Sequence, residues 1–211
     1  MTTILLADDH SIIKAGLTIL IKSIIPDSFI EETNDGDSTF EKIKSNDYDI
    51  LILDVNMPNT DSLALVGNLK SLRPDLKILM FSMNDEEIFA KRYLKNGALG
   101  YIKKDAPQEE IKLAITTVLS NKRYMSLPLK QKLAEEILDK KTGNPFDTLS
   151  GREFEILQHL LAGESVGAIS EKLSLHTSTV GTHKARIFTK LNCSNIIELS
   201  TLAKQHNIIS G

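Results

Sequence analysis

Cysteine is nearly missing from this 211-residue chain: Cys193 stands alone. One cysteine permits no intrachain disulfide and gives no evidence for a metal site. Its expected role is that of a small half-buried thiol in a reducing cytoplasm. Long apolar runs are missing too; none approaches the ~20 residues that span a bilayer, so no membrane partner is expected. The opening stretch from Met1 to His10 has no basic leader and reaches Asp8 and Asp9 at once, unlike a secretory signal. Internal repeats and low-complexity segments are absent. Strong net charge is absent as well: the chain carries −3, with 41% hydrophobic and 25% charged residues. Such a composition excludes a disordered, collagen-like or disulfide-stapled chain. At roughly 100–200 residues per domain, the length admits one or two domains.

The small net charge hides an asymmetry. Residues 1–122 hold 14 basic and 19 acidic side chains, residues 123–146 hold 5 and 3, and residues 147–211 hold 6 and 6 with four of the five histidines. The first part is acidic. The last is neutral, which by electrostatics alone argues against nucleic acid.

Up to about Asn121, short apolar runs alternate with amphipathic stretches. The strong runs are Ile4–Ala7, Ile50–Leu53 and Ile78–Phe81, with weaker ones at Phe29-Ile30 and Tyr101-Ile102. Continuous runs of this length suit strands buried on both faces. Helical patterns fill the gaps over Ile12–Ile25, Ser38–Lys44, Ser62–Leu72, Glu86–Asn96 and Gln108–Leu119. Gly97 and Gly100 punctuate a helix end and the approach to the last strand. Strands alternating with helices predict an α/β fold, a doubly wound five-stranded parallel sheet spanning residues 1–121. Residues 122–146 read as a linker with one helix, Leu129–Lys141, followed by Thr142-Gly143-Asn144-Pro145. From 147 to 211 the periodicity is helical only, predicting a second all-α domain of four helices. Ser150-Gly151-Arg152-Glu153 is a capping-box pattern opening a helix with Phe154, Ile156, Leu157, Leu160 and Leu161. Helices over Val166–Leu173, Ser178–Leu191 and about Asn195–His206 come next.

Doubly wound sheets bind ligands at the carboxyl ends of their strands. There the sequence places Asp8 and Asp9, Asp54 before Val55-Asn56-Met57-Pro58, Ser82, and Lys103-Lys104. An Asp at a strand end, alone, reads as a helix cap or a turn residue, and a lone Ser or Lys carries no meaning. Together, carboxylates gathered on one rim repel one another, and a divalent cation such as Mg²⁺, which takes hard oxygen ligands, relieves that repulsion. An added ammonium and hydroxyl make a phosphoryl-transfer site in which a carboxylate is the nucleophile.

The runs Ile4–Asp9, Asp54–Pro58, Ser82 and Gly100-Tyr101-Ile102-Lys103-Lys104-Asp105 resemble the receiver domain of two-component response regulators, over residues 1 to about 121. The resemblance implies a flavodoxin-like fold with Asp54 as phospho-acceptor. It implies Asp8 and Asp9 as the acid pair around Mg²⁺, with Asp54 and the Asn56 carbonyl completing the protein ligands. Lys104 matches the family's lysine better than Lys103, and Ser82 and Tyr101 match its switch pair. Two positions depart from the family's habit. Met83 stands where a small residue is frequent, and there it would screen an acyl phosphate from water. Asp105 stands where proline often follows a cis bond, and a non-proline cis bond would cost ~3–4 kcal/mol.

On the helix Ser178–Leu191, at about 100° per residue, Val180, Ile187 and Leu191 form one stripe with Phe188 on its flank. Thr182, Ala185, Arg186 and Thr189 lie opposite, with Gly181 at the margin. With Ile169 and Leu173 on the helix before it and Leu175 in the turn, the pair suits either a helix-turn-helix or a plain bundle with a solvated face. In the first case Lys184, Arg186 and Lys190 meet phosphates, and Thr179, Thr182 and His183 hydrogen-bond. Thr148–Leu157 and Ser178–Leu191 resemble the LuxR-type DNA-binding domain over about 147–209, as found in NarL/FixJ-like regulators. The resemblance implies a recognition helix over Ser178–Leu191, with Gly181 where the family usually has lysine and Ala185 where a basic or polar residue is frequent. It also implies a last helix whose Ile196, Ile197, Leu199 and Leu202, with Ala203, are candidates for a dimer contact.

The reading is a cytoplasmic response regulator and transcription factor, not an enzyme beyond its own phosphoryl transfer and loss. Its expected partners are a histidine kinase, double-stranded DNA and a second copy of the phosphorylated chain. Two alternatives stand beside it. One is a Mg²⁺-dependent phosphohydrolase with Asp54 as nucleophile, although such enzymes can carry a second aspartate where this chain has Asn56. The other is a receiver that acts as an interaction module without phosphorylation.

Overall fold

The computed structural model describes residues 1–138, 144–206 and 208–209. Five strands, β1 (Thr3–Ala7), β2 (Phe29–Thr33), β3 (Ile50–Asp54), β4 (Lys77–Ser82) and β5 (Gly100–Lys103), alternate with α1 (Ser11–Ile24), α2 (Gly36–Ser45), α3 (Ser62–Leu72), α4 (Glu86–Lys95) and α5 (Gln108–Leu119). All strand pairs are parallel, in the order β2-β1-β3-β4-β5. The apolar runs fall on the inner strands, where both faces are covered: Ile4, Leu6, Ile50, Ile52, Leu79 and Phe81 join Leu17, Ile21, Ile111 and Ile115 in one core. The edge strand β2 is the polar run, with Phe29 exposed and Thr33 buried.

The order reverses between β1 and β3, so their carboxyl ends open a crevice at the point where ligands bind in such sheets. Two glycines serve the last strand. Gly97 takes a positive φ of 108° just past α4, a conformation that disfavours a Cβ. Gly100 lies so close to Leu79, Val118 and Tyr124 that a Cβ would approach them to 2.9–3.1 Å. Tyr124 reaches this spot because its N–H donates to the Leu99 carbonyl at 2.8 Å. No peptide bond among the described residues is cis, including the one before Asp105.

The chain divides into two units, Met1–Leu138 and Asp139–Gly211. The first extends past the boundary near residue 121 expected from the sequence. Helix α6 (Leu127–Leu138) is the reason: Leu129 is completely buried, Ser126 caps its N–H through Oγ at 3.2 Å, and the helix packs on α4. The predicted linker helix is therefore part of the first unit, and residues 139–141 of that prediction lie outside the described residues.

The second unit holds a 3₁₀ turn, Pro145–Thr148, and helices α7 (Gly151–Leu161), α8 (Val166–Lys172), α9 (Thr177–Leu191) and α10 (Ile196–Gln205). The capping box forms: Ser150 Oγ accepts from the Glu153 N–H at 3.2 Å, and Glu153 Oε2 accepts from the Ser150 N–H at 2.7 Å. The 3₁₀ turn, absent from the sequence reading, starts at a proline whose missing N–H needs no partner. Asn144 Oδ1 caps it by accepting from the Phe146 N–H at 3.1 Å. Phe146, Phe154, Ile156, Leu157, Ile169, Val180, Ile187 and Leu199 make this unit's own core.

Candidate functional site

Asp8 and Asp54 reach one rim because β1 and β3 are paired in register, Ala7 opposite Leu53. Lys104 arrives from beyond β5, fixed by its N–H to the Ser82 carbonyl at 2.8 Å. Its Nζ lies 2.7 Å from Asp8 Oδ2 and 2.9 Å from Asp54 Oδ2, with the side chain only 5% exposed. Lys103 points elsewhere and pairs with Asp105 at 3.1 Å in solvent. The Lys104 ammonium also sits 5.9 Å from the centre of the Phe81 ring. One ammonium thus stands between two buried carboxylates.

Burial pushes the Asp54 carboxyl above the ordinary carboxylate range; Lys104 pulls it down, Asp8 adds to the rise, and the Asn56 N–H lowers it. Asp9 is more exposed and faces His10, whose Nδ1 lies 2.8 Å from Asp9 Oδ1 and 3.0 Å from Asp8 Oδ1. The sequence reading gave His10 no role. Among the described residues, Asp8, Asp9, His10 and Asp54 each offer one ligand atom, and these atoms lie within 4.8 Å of one another. Asp54 Oδ1 is buried without a hydrogen-bond partner in a side chain 2% exposed. Three carboxylates with an unpartnered buried oxygen fit a hard divalent cation, which needs oxygen donors and accepts more than one carboxylate. Asn56 exchanges amide hydrogen bonds with Asn84 at 3.3 Å, linking the loops that follow β3 and β4.

Ser82 is completely buried, and its Oγ accepts from the Asn84 N–H at 3.1 Å. The Tyr101 ring is fully buried, in the inward position, and its hydroxyl donates to the Asn84 carbonyl at 3.1 Å. Burial pushes its phenol far above the ordinary value, with Ser82 opposing. Tyr93 of α4 lies 6.0 Å from Tyr101, centre to centre, and shares a 2.8 Å hydrogen bond with Ser62, whose Oγ donates to the Val55 carbonyl at 2.8 Å. This chain, missed in the sequence, ties the residue after Asp54 to the aromatic pair. Met83, expected over the acceptor, has 60% of its surface in solvent.

In the second unit α9 keeps the predicted stripe inward: Val180, Ile187 and Leu191 are buried and Phe188 half-buried. Gly181, Thr182, Ala185, Arg186 and Thr189 are exposed, and nothing lies within 4 Å of where a Gly181 Cβ would stand. Thr179, His183 and Lys184 are half-buried, with Lys184 Nζ 5.9 Å from the Phe188 ring centre. The Thr182 hydroxyl donates back to the Ser178 carbonyl at 3.0 Å. Two expectations change. Lys190 does not present a spare ammonium: it pairs with Glu153 Oε2 at 2.6 Å and donates to the Thr148 carbonyl at 3.2 Å. Leu199 is fully buried in its own unit and offers no outer face, whereas Ile197 is 75% exposed, Ile196 exposed and Leu202 half-buried.

Fold and rim together define a parallel α/β domain with an acid cluster at its switch point, followed by a helical domain with an exposed face on α9. The chain belongs to the two-component response regulators of the LuxR-type output class: residues 4–116 match the response regulator receiver domain, and residues 147–203 match the bacterial regulatory proteins of the luxR family. It is 32% identical over 212 residues to the response regulator UvrY of Escherichia coli, covering 100% of this chain and 97% of that one. It is 33% identical to the response regulator GacA of Pseudomonas viridiflava, covering 100% and 99%. A solved structure of the RcsB response regulator of Salmonella typhimurium shares the fold, with a TM-score of 0.59 at 23% identity over 95% of this chain and 98% of that one. The protein is a DNA-binding transcription regulator of a two-component system. No described helix is long and apolar enough to cross a membrane.

Proposed function

We propose that Asp54 accepts a phosphoryl group from the phosphohistidine of a partner kinase in the cytoplasm and that the resulting charge is read out through α4 to control pairing of the chain on DNA. The observation that carries this reading is the Lys104 ammonium held between Asp8 and Asp54 at 2.7 and 2.9 Å. An Asp54 carboxylate oxygen forms the new P–O bond as the donor's P–N bond breaks, and the departing imidazole takes its proton from water. Lys104 is placed to follow the developing charge on the transferred oxygens, and Ser82 to donate to one of them. Asp8, Asp9, Asp54 and the Asn56 carbonyl are the ligands for Mg²⁺, which when bound neutralises phosphoryl oxygens. The same rim admits the water that later hydrolyses the acyl phosphate, so the chain promotes only its own phosphorylation and dephosphorylation.

The acyl phosphate carries roughly two negative charges where the Asp54 carboxylate carried one. Ser82 leaving the Asn84 N–H for that group disturbs the β4–α4 loop, which holds the Tyr101 hydroxyl through the Asn84 carbonyl and leads directly into α4. In the second unit, the exposed Gly181, Thr182, Ala185 and Arg186 form the face offered to the major groove, flanked by Thr179, His183 and Lys184. Exposed Ile196 and Ile197, with Leu202 beside them, form a contact between two copies, which sets two recognition helices about one DNA turn, ~34 Å, apart.

The direct test is intact mass after incubation with acetyl phosphate and Mg²⁺. Wild type gains one phosphoryl group and Asp54→Asn gains none. Equal adduct on both would overturn the assignment.

A further inference from the structure

The acid rim holds one side chain that phosphoryl transfer leaves unused. His10 follows Asp9 at the head of α1, and its own N–H donates to Asp8 Oδ1 at 2.8 Å. Its ring Nδ1 stands 2.8 Å from Asp9 Oδ1 and 3.0 Å from Asp8 Oδ1. The side chain is 60% exposed, so the ring turns without disturbing packed neighbours. Asp8 is shared: its Oδ1 faces His10 and its Oδ2 faces Lys104. Beside them lies the buried, unpartnered Oδ1 of Asp54.

A cation entering this rim competes for the carboxylate oxygens that His10 now occupies. The balance of that competition differs between cations. Mg²⁺ prefers hard oxygen and gains little from an imidazole, so displacing His10 is a loss with no return. Co²⁺, Ni²⁺ and Zn²⁺ accept imidazole nitrogen readily, and the displaced Nδ1 then supplies a bond in place of the contacts it gave up. We propose that His10 is a ligand for transition-metal dications at the acid rim, so that the site binds them through Asp9, Asp54 and His10 but binds Mg²⁺ through oxygen alone, against the His10–carboxylate contacts. This rests on the reading of the rim as the cation site of the phosphoacceptor.

The consequence is a change of sign. Removing the imidazole weakens binding of a transition dication and leaves Mg²⁺ binding unchanged or tighter. A residue that merely shapes the rim would move both in one direction. The test uses the full-length chain at one fixed pH, with Mg²⁺ and Co²⁺ each titrated calorimetrically and the visible absorption of bound Co²⁺ recorded. For His10→Ala the expected result is a Co²⁺ affinity at least about tenfold lower, the size typical of groups that hold metal ligands, with the nitrogen contribution lost from the Co²⁺ spectrum and no loss of Mg²⁺ affinity. Equal effects on both metals, or an unchanged Co²⁺ spectrum, would overturn the proposal. Asp54→Asn separates it from the reading beneath it. If that change weakens both metals while His10→Ala alters neither, only the role of His10 falls. If Asp54→Asn leaves both metals bound as in wild type, the rim itself is not the cation site.

Discussion

The Ser126 N–H donates to Glu86 Oε1 at 3.2 Å, across 40 positions of the chain. This bond fastens the start of α6 to the start of α4, four positions past Ser82. Burial pushes the Glu86 carboxyl above its ordinary value, Ser126 lowers it, and Glu110 and Asp85 add to the rise. A second tie, Lys132 Nζ to Glu87 Oε2 at 2.6 Å, is about half exposed at both ends. The helix that leads toward the second unit is thus anchored on α4, the helix that follows Ser82 in the chain.

Glu86→Ala should loosen α6. A lost partly buried hydrogen bond is worth about 1 kcal/mol, so amide exchange over residues 127–138 should quicken roughly fivefold, read by hydrogen-exchange mass spectrometry. Lys132→Ala breaks only an exposed pair and should change exchange by less, since such pairs contribute ~0.2–1 kcal/mol. An unchanged α6 in Glu86→Ala would mean that Leu129 packing alone holds the helix.

Asp54→Asn should raise the stability of the first unit while abolishing phosphorylation. The folded-state pKa of Asp54 is raised, so its contribution to stability is favourable at low pH and is lost as pH rises through the folded value; at neutral pH the buried charge is a liability. Asparagine keeps the shape without the charge and leaves Lys104 paired with Asp8. A gain on the order of 1–2 kcal/mol in urea unfolding at pH 7 is expected, the scale of a single relieved site. The gain should shrink as pH falls through the raised folded value toward the ordinary carboxylate value of 3.8, because the wild-type carboxyl then loses the charge that burial penalises. A loss at pH 7 would show that Lys104 stabilises Asp54 more than burial penalises it.

Glu153 behaves in the opposite sense. Burial alone would raise its carboxyl, but Lys190 and Ser150 together hold it below the ordinary range. A lowered folded pKa gives stability that is present above the unfolded value and lost as pH falls through the folded one. Glu153→Gln should therefore destabilise the second unit by about 1–2 kcal/mol at pH 7, the size of a helix cap. The difference from wild type should begin to close as pH falls past about 4.5, the ordinary glutamate value, and continue closing toward the lower folded value. Calorimetry of the full chain between pH 7 and pH 4 measures both. Lys190→Ala should lower the same transition without altering DNA sequence preference.

Gly181 sits in an open stretch of α9 with room for any side chain. Glycine there costs roughly 1 kcal/mol of helix stability relative to alanine, so Gly181→Ala should stabilise the second unit by up to that amount. Gly181→Lys should in addition tighten binding to nonspecific duplex and steepen the log–log salt dependence by about 0.9, one phosphate contact. Fluorescence anisotropy across a salt series compares the two. If the lysine variant matches the alanine variant in affinity and slope, position 181 does not face DNA.

The sequence by itself determined the elements and their order. Each inner strand was a continuous apolar run because both of its faces are covered, and the acids at the strand ends were legible because a parallel sheet brings all carboxyl ends to one rim. The outer face of α9 was legible for a similar reason: helical periodicity records which side of a residue's own element is wet. Tertiary structure decided what no local pattern records. The charge of Lys190 reads the same in sequence whether it faces DNA or Glu153, 37 positions away. Leu199 and Ile197 are two apolar residues on one helix, and only the position of α7 makes one core and the other surface. Linker composition described α6 as a tether, but docking depends on Leu129 finding a covered site on the first unit. His10 entered the acid rim through the turn after β1, which swings its ring back over the two aspartates just before it. Periodicity reports a residue's relation to its own backbone; a partner distant in the chain, or a ring folded back on its neighbours, is set by where the backbones come to rest.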